Sequence, residues 1–165
     1  MCARSSRPTP TTRAVETAAS RLAVDVSLGA QRIPLSADRV RDLVRRTLLA
    51  EHTREAMISV AFVSSREMAR LNREHLGHAG PTDVISFALG LAPGPVQASV
   101  VGDIYICADV VRKNAARFGV GIREEIARVV VHGTLHTLGY EHPDGDERTG
   151  SEMWRKQEEI LARVS

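Results

Sequence analysis

At 165 residues, with 43% hydrophobic and 25% charged side chains, the chain supports one domain with a packed core. No apolar run approaches the roughly 20 residues of a membrane span, and no apolar signal-peptide core follows Met1; neither a membrane partner nor a secretory route is expected, and the cytoplasm is the expected compartment. The net charge of +2 sits in the first 20 residues, where Arg4, Arg7 and Arg13 face only Glu16, so the body is neutral and affinity for a polyanion has to come from a local patch.

Residues 1–20 are rich in Ser, Thr, Pro, Ala and Arg and carry no hydrophobic period, which predicts a disordered extension ahead of a domain over residues 21–165. Their composition suits a transit peptide, a solvated bacterial extension or a start codon assigned too early. Leu22, Val24, Val26 and Leu28 alternate with smaller or polar residues, as a strand requires. Ser36 can cap a helix that carries Val40, Leu43, Val44 and Leu48. Ile58 to Val63 is apolar at both parities and reads as a central strand. Ser64-x-x-Glu67 is a capping box opening a helix with Met68 and Leu71, and Gly77 to Pro81 reads as a loop.

A third strand is expected from Asp83 to Leu89, a break over Gly90 to Gly94, and a fourth strand from Val100 to Cys107. A helix from about Asp109 to Phe118 stops at Gly119. Another starts near Ile122, and a last one runs from about Glu147 to Arg163, with Met153, Gln157, Ile160, Leu161 and Val164 as its buried stripe and Glu152–Lys156 as a supporting pair. Cys2 and Cys107 are too far apart in kind and position to imply a disulfide. The sum is an α+β domain, an α/β-type sandwich built on a single four-stranded mixed sheet with four to five helices.

The chemistry concentrates in His132-Gly-Thr-Leu-His136-Thr-Leu-Gly139-Tyr-Glu-His142, which holds three of the six histidines. Residues four apart share one helical face, so His132 and His136 can present two imidazoles to one ion. Gly139 lets the chain turn, and His142 can return as a third ligand. Three nitrogens and one open position describe a catalytic zinc site, one Zn2+ per chain, although imidazole also suits iron, nickel and copper. Such an ion lowers the pKa of bound water to about 7 and makes hydrolysis the natural reaction class. The same spacing occurs in metzincin proteases, but their general-base glutamate is Gly133 here, which removes the proton acceptor a protease needs. Asp83 and Glu141 are the weak candidates for that role, with Asp144 and Asp146 near the third histidine; each also reads as an ordinary polar turn residue.

Taken with Leu71-Asn72, Pro81-Thr-Asp-Val-Ile-Ser-Phe87 and Gly102-Asp-Ile-Tyr-Ile-Cys107 in the same order, the histidine array resembles the YbeY family of rRNA maturation factors. The resemblance covers about Leu22 to Val164. It implies a zinc-dependent, single-strand-specific endoribonuclease that acts on the 3′ end of small-subunit rRNA and in quality control of ribosomal particles, with His132, His136 and His142 as metal ligands. No DNA partner is expected. Two departures stand out: Glu141 replaces the family's aspartate, and Leu76 stands where the family commonly has an arginine that helps handle RNA phosphates. The alternative is a ribosome-associated assembly factor with a mainly structural zinc and little nuclease activity. With three Phe, two Tyr and one Trp in the chain, stacking platforms are scarce. RNA binding should therefore run through phosphates, with cations on three segments as candidates: Arg66, Arg70 and Arg73; Arg112, Lys113 and Arg117; and Arg39, Arg41, Arg45 and Arg46.

Overall fold

The computed structural model describes residues 20–92 and 99–164. Cys2, the expected extension as far as residue 19, and the stretch from Pro93 to Ala98 lie outside the described residues. No helix among the described residues is long and apolar enough to cross a membrane.

Strand β1 (Arg21–Ser27) follows the alternation of Leu22, Val24 and Val26. Helix α1 (Ala37–Ala50) opens where Ser36 Oγ accepts the Arg39 amide at 3.1 Å, and it buries Val40, Leu43, Val44, Thr47 and Leu48. Strand β2 (Glu55–Val63) leads to α2 (Ser65–Leu71), capped by Ser64 Oγ on the Glu67 amide at 3.2 Å. The helix does not end at Leu71. A wider π turn continues over Asn72–Leu76 and closes at Gly77, whose φ of 69° no branched residue adopts easily. Asn72 is buried there and donates to Gly80 O at 2.8 Å, which pins the following loop.

Strands β3 (Val84–Ala92) and β4 (Ser99–Cys107) complete one sheet of order β1-β2-β4-β3. β1, β2 and β4 run parallel, and β3 is antiparallel to β4. The expected break at Gly90 falls inside β3 instead. The pairing register shifts between Ala88 and Leu91, and this irregularity takes up Gly90 at φ 87° while the strand runs on to Ala92. β2 is central, as its apolar run predicts, yet its two faces differ. Ala56, Ile58, Val60 and Phe62 are buried against helices, whereas Met57 on the other face is 57% exposed.

Helices α3 (Ala108–Phe118), α4 (Ile122–Thr137) and α5 (Glu152–Val164) join α1 in the main core, with α4 in contact with β3, β4, α1, α3 and α5. The five α-helices and the mixed sheet give the expected class. A second, smaller cluster of Val63, Met68, Ile85 and Cys107 lies under α2 on the opposite sheet face. The last helix begins later than its stripe suggests: Gly145–Gly150 forms a 3₁₀ turn, and Ser151 Oγ accepts the Trp154 amide at 3.2 Å to start α5. Met153, Gln157, Ile160, Leu161 and Val164 are buried as expected. The expected Glu152–Lys156 pair gives way to Lys156 Nζ on Glu51 Oε1 at 3.2 Å. Glu51 is the more sheltered carboxylate, and an exposed i,i+4 pair offers too little to compete.

Two glycines let α4 sit close to the sheet. A Cβ on Gly133 would stand 2.8 Å from Ile104 Cγ2 and 3.2 Å from Val84 Cγ2. A Cβ on Gly102 would stand 2.6 Å from Thr137 Cγ2 and 3.2 Å from Phe87 O. Ser86 Oγ donates to Gly133 O at 3.0 Å across the same contact. Gly102→Ala should therefore lower stability by about 1–3 kcal/mol through overpacking. Gly150→Ala, whose added Cβ meets open space, should change it by less than about 0.5 kcal/mol. Denaturant midpoints of the two variants check this; equal midpoints would mean that the helix and sheet have room to separate.

Candidate metal centre

The last turns of α4 carry His132 and His136, and Gly139, at φ 94°, reverses the chain so that His142 returns over them. One ligand atom from each histidine lies within 4.8 Å of the others, and no other described His, Cys, Asp or Glu joins the group. His132 Nε2 stands 3.1 Å from His136 Nε2 and 3.2 Å from His142 Nε2. A tetrahedral ion with metal–nitrogen bonds of about 2.05 Å spaces its ligands by roughly 3.3 Å.

The outer nitrogens decide what the inner ones can do. His132 Nδ1 donates to Gln157 Oε1 at 2.7 Å, His136 Nδ1 to Tyr140 O at 2.8 Å and His142 Nδ1 to Pro143 O at 3.0 Å. Each acceptor is an oxygen, so each Nδ1 carries the proton and each Nε2 turns a lone pair inward. Three lone pairs about 3 Å apart repel unless a cation sits among them, so the donor set fits a metal ion.

The orientation of Gln157 is itself fixed. Its Nε2 donates to Glu158 Oε1 at 3.1 Å, and Arg128 Nε donates to that same oxygen at 3.1 Å. Arg128 also holds Glu125 at 3.0 Å and Glu124 at 3.2 Å. Burial works against its charge, but Glu158, Glu125 and Glu124 outweigh that and keep the guanidinium above its ordinary pKa. His136 has a comparable support. Tyr140, whose carbonyl it uses, donates its hydroxyl to Glu51 Oε2 at 2.5 Å, and Glu51 binds Lys156. The hydrogen bond to Glu51 and burial raise the Tyr140 pKa, and Glu51 also raises that of Lys156.

Burial, reinforced by the neighbouring His136, pushes the His132 imidazole down to about 3, against the pull of Gln157. Burial also lowers His136, against the Tyr140 carbonyl. Both rings are therefore neutral and ready to ligate at physiological pH. His132 is buried, while His136 and His142 are partly open to solvent, which leaves an approach from one side.

The weak catalytic candidates fare differently. Asp83 Oδ1 accepts from the Val84 amide at 2.8 Å and from Thr82 Oγ1 at 3.3 Å, and Oδ2 lies 3.5 Å from Asn114 Nδ2. Its carboxylate ties β3 to α3 and makes no contact with the histidines. Glu141 is exposed beside His142, and its charge acts on His136. Asp144 and Asp146 are exposed turn residues. Leu76 ends the π turn at 49% exposure and does not pack into the core. His75 stacks edge-on against Phe87 with centroids 5.1 Å apart, and His78 is exposed.

The chain matches the family described as endoribonuclease YbeY over residues 26–165. The chain belongs to the YbeY family. An endoribonuclease YbeY of Syntrophus aciditrophicus is 30% identical over 141 residues, covering 85% of this chain and 88% of its own. The endoribonuclease YbeY of Halalkalibacterium halodurans is 38% identical over 130 residues, covering 74% and 79%. A solution structure from Thermotoga maritima superposes with a TM-score of 0.57 at 26% identity, covering 86% of this chain and 88% of that one.

Gln157, Arg128, Glu158 and Glu51 escape a sequence reading, because Gln157 looks like one more member of a buried stripe and the others like surface charge. The signal that could have found Gln157 is polarity: an amide at the centre of an apolar stripe needs a partner. Gln157→Leu should weaken zinc affinity by about 10- to 100-fold while α5 stays docked, as removal of an outer hydrogen bond to a ligand does. Competition with a chromogenic chelator measures it; unchanged affinity would mean that His132 needs no outer partner.

A pH dependence follows as well. A histidine lowered from 6.5 to about 3 by folding takes up its proton only in the unfolded chain across that window. The unfolded state binds more protons there, so stability rises with pH between those values and is complete above them. Metal-free protein should melt at progressively lower temperature as pH falls from about 6.5 towards 4. His132→Gln should flatten that slope.

Proposed function

We propose that this chain is a zinc-dependent endoribonuclease that cuts single-stranded RNA, acting on the 3′ end of small-subunit rRNA within ribosomal particles in the cytoplasm. Residues 21–165 form its metallohydrolase domain. The observation that carries the reading is the convergence of three inward lone pairs on His132, His136 and His142, each proton held outward by an oxygen. It joins with membership of a family described as endoribonuclease YbeY. The all-nitrogen, tetrahedrally spaced donor set favours zinc. Bound there, zinc supplies a Lewis acid for the phosphodiester and lowers the pKa of water at neutral pH.

The chain's own residues do the rest. Gln157 and the Tyr140 carbonyl hold two of the ligands in one tautomer. His136 and His142 are partly open to solvent, which leaves the substrate an approach from that side. In hydrolysis a water oxygen bonds to phosphorus, the bond from phosphorus to the leaving oxygen breaks, and a proton ends on that oxygen. Gly133 cannot manage that proton, and it cannot be replaced by glutamate, because its Cα faces Ile104 and Val84 in the sheet. On this reading Glu141, exposed next to His142, is the carboxylate left for that proton, because Asp83 is committed to the β3–α3 junction.

Of the candidate cations, those on α1 are largely used within the fold. Arg39 and Arg46 bind Asp42, Arg41 binds Asp38 and the Val24 carbonyl, and Arg45 binds the Leu22 carbonyl. Arg112 is held by Asp109. Arg66 and Arg73, beside Arg70 on one surface of α2 and its π turn, form no ion pair or side-chain hydrogen bond among the described residues and are the better phosphate contacts.

The deciding measurement is cleavage of single-stranded RNA carrying a small-subunit 3′ end by the zinc-loaded protein, with duplex RNA and His136→Ala as controls. Single-stranded RNA should be cut and duplex spared, and His136→Ala should be slower by at least about 100-fold, or roughly 2.7 kcal/mol of lost barrier lowering. Zinc-loaded protein that binds ribosomal particles yet leaves RNA intact would establish the assembly-factor alternative. Cleavage undiminished in His136→Ala would assign it to a contaminant.

A further inference from the structure

Among the described residues, one cation near the histidines has no anion. Arg148 lies in the 3₁₀ turn Gly145–Gly150, between His142 and α5. Its backbone is pinned: Arg148 O accepts from Ser151 Oγ at 2.7 Å and from the Ser151 amide at 3.1 Å, and Ser151 Oγ caps α5 through Trp154. Its guanidinium stands over the Trp154 ring, 5.9 Å from the centroid. Gln157, the partner of His132, lies one turn further along that helix. Among the described residues, Arg148 Nε is the one buried side-chain nitrogen or oxygen without a hydrogen-bond partner. Asp144, Asp146 and Glu147 flank Arg148 in sequence, yet none forms an ion pair with it.

Nothing among the described residues neutralises this cation. Its charge acts on His132 and His136, so the guanidinium belongs to the surroundings of the three rings. A buried guanidinium nitrogen without an acceptor has lost its water and gained no hydrogen bond in return. An anion beside the metal would supply the counter-charge that the guanidinium lacks. A phosphodiester supplies that anion, with one oxygen for the metal and another for the planar N–H fork. Leu76, exposed at the end of the π turn, offers neither charge nor donor.

We propose that Arg148 is the phosphate-binding residue of this site, contacting a non-bridging oxygen of the scissile phosphodiester from the α5 side. This rests on the nuclease reading above for its substrate, but the geometry demands only a phosphate-like anion beside the metal. Arg148 thereby gives the 3₁₀ turn a purpose that its exposed acidic residues do not.

The test uses full-length protein loaded with cobalt(II), whose visible spectrum reports its ligand sphere, and inorganic phosphate as the probe. Wild type, Arg148→Gln and Arg148→Lys are compared for metal content, melting temperature, phosphate titration and single-turnover cleavage of single-stranded RNA by the zinc forms. Phosphate should change the cobalt spectrum of the wild type. Arg148→Gln should need at least about tenfold more phosphate, equivalent to about 1.4 kcal/mol, with metal content unchanged, and Arg148→Lys should fall between. RNA cleavage should drop at least tenfold in Arg148→Gln, with partial rescue by millimolar guanidinium ion if the wild type cleaves. Equal phosphate affinity in wild type and Arg148→Gln overturns the proposal. Loss of metal from Arg148→Gln also overturns it, because the residue would then serve the ligands rather than the anion. If phosphate binding depends on Arg148 but even the wild type leaves RNA intact, the anion site stands and the nuclease reading falls.

Discussion

Everything in this molecule depends on how closely α4 lies against β3 and β4. The helix is the hub of the core, and its approach is set by two residues without side chains, Gly133 on the helix and Gly102 on the strand. With the helix at this depth, Ile126, Val130 and Leu135 fill the layer beneath it and His132 comes to rest almost out of water. A methyl group at either glycine would lift the helix and move the first histidine relative to Gln157, which is held by a different helix. Packing distance and site geometry are therefore one constraint. The same contact explains why this array cannot work as a metzincin does: the position where those proteases need a carboxylate is the position this fold needs empty.

A second layer of interactions converts placement into chemistry. Imidazole is indifferent between its two tautomers until a neighbour chooses. Here the choice is made by a buried amide, a carbonyl at the helix end and a carbonyl after the third histidine. The amide is oriented by Glu158 and Arg128, and the Tyr140 segment is fastened by Glu51 and Lys156. These charged groups sit at the boundary between core and solvent, where an isolated ion pair contributes little stability. Their effect lies in direction rather than energy, since they help fix which nitrogen of His132 and of His136 carries the proton.

The sequence made the sheet and the histidine array legible because both depend on local pattern. Alternation in β1, the two-sided apolar run of β2 and the caps at Ser36 and Ser64 are read from neighbours in the chain. The array is legible because helical periodicity joins His132 to His136, and Gly139 marks the turn. What stayed hidden depends on tertiary contact. The π turn after Leu71, the passage of β3 through Gly90 and the start of α5 at Glu152 each shift an element by a few residues with no local signal strong enough to reveal it. Lys156 finds Glu51 rather than Glu152 because the better acceptor is distant in sequence and sheltered. The isolation of Arg148 is likewise invisible in a string of letters, since an arginine among acidic residues reads as a satisfied one.

The dependence of His132 on Gln157 has a temporal side. Gln157 belongs to α5, which leaves the ribosome after every other element described here, whereas all three histidines are made before it. Until α5 has been synthesised and has docked its apolar stripe, His132 lacks the acceptor that fixes its proton, and the 3₁₀ turn has no cap to lock onto. A chain interrupted within α5 would carry the whole histidine array in an unset state. The tautomer of the first histidine is thus set only when α5 packs against α4.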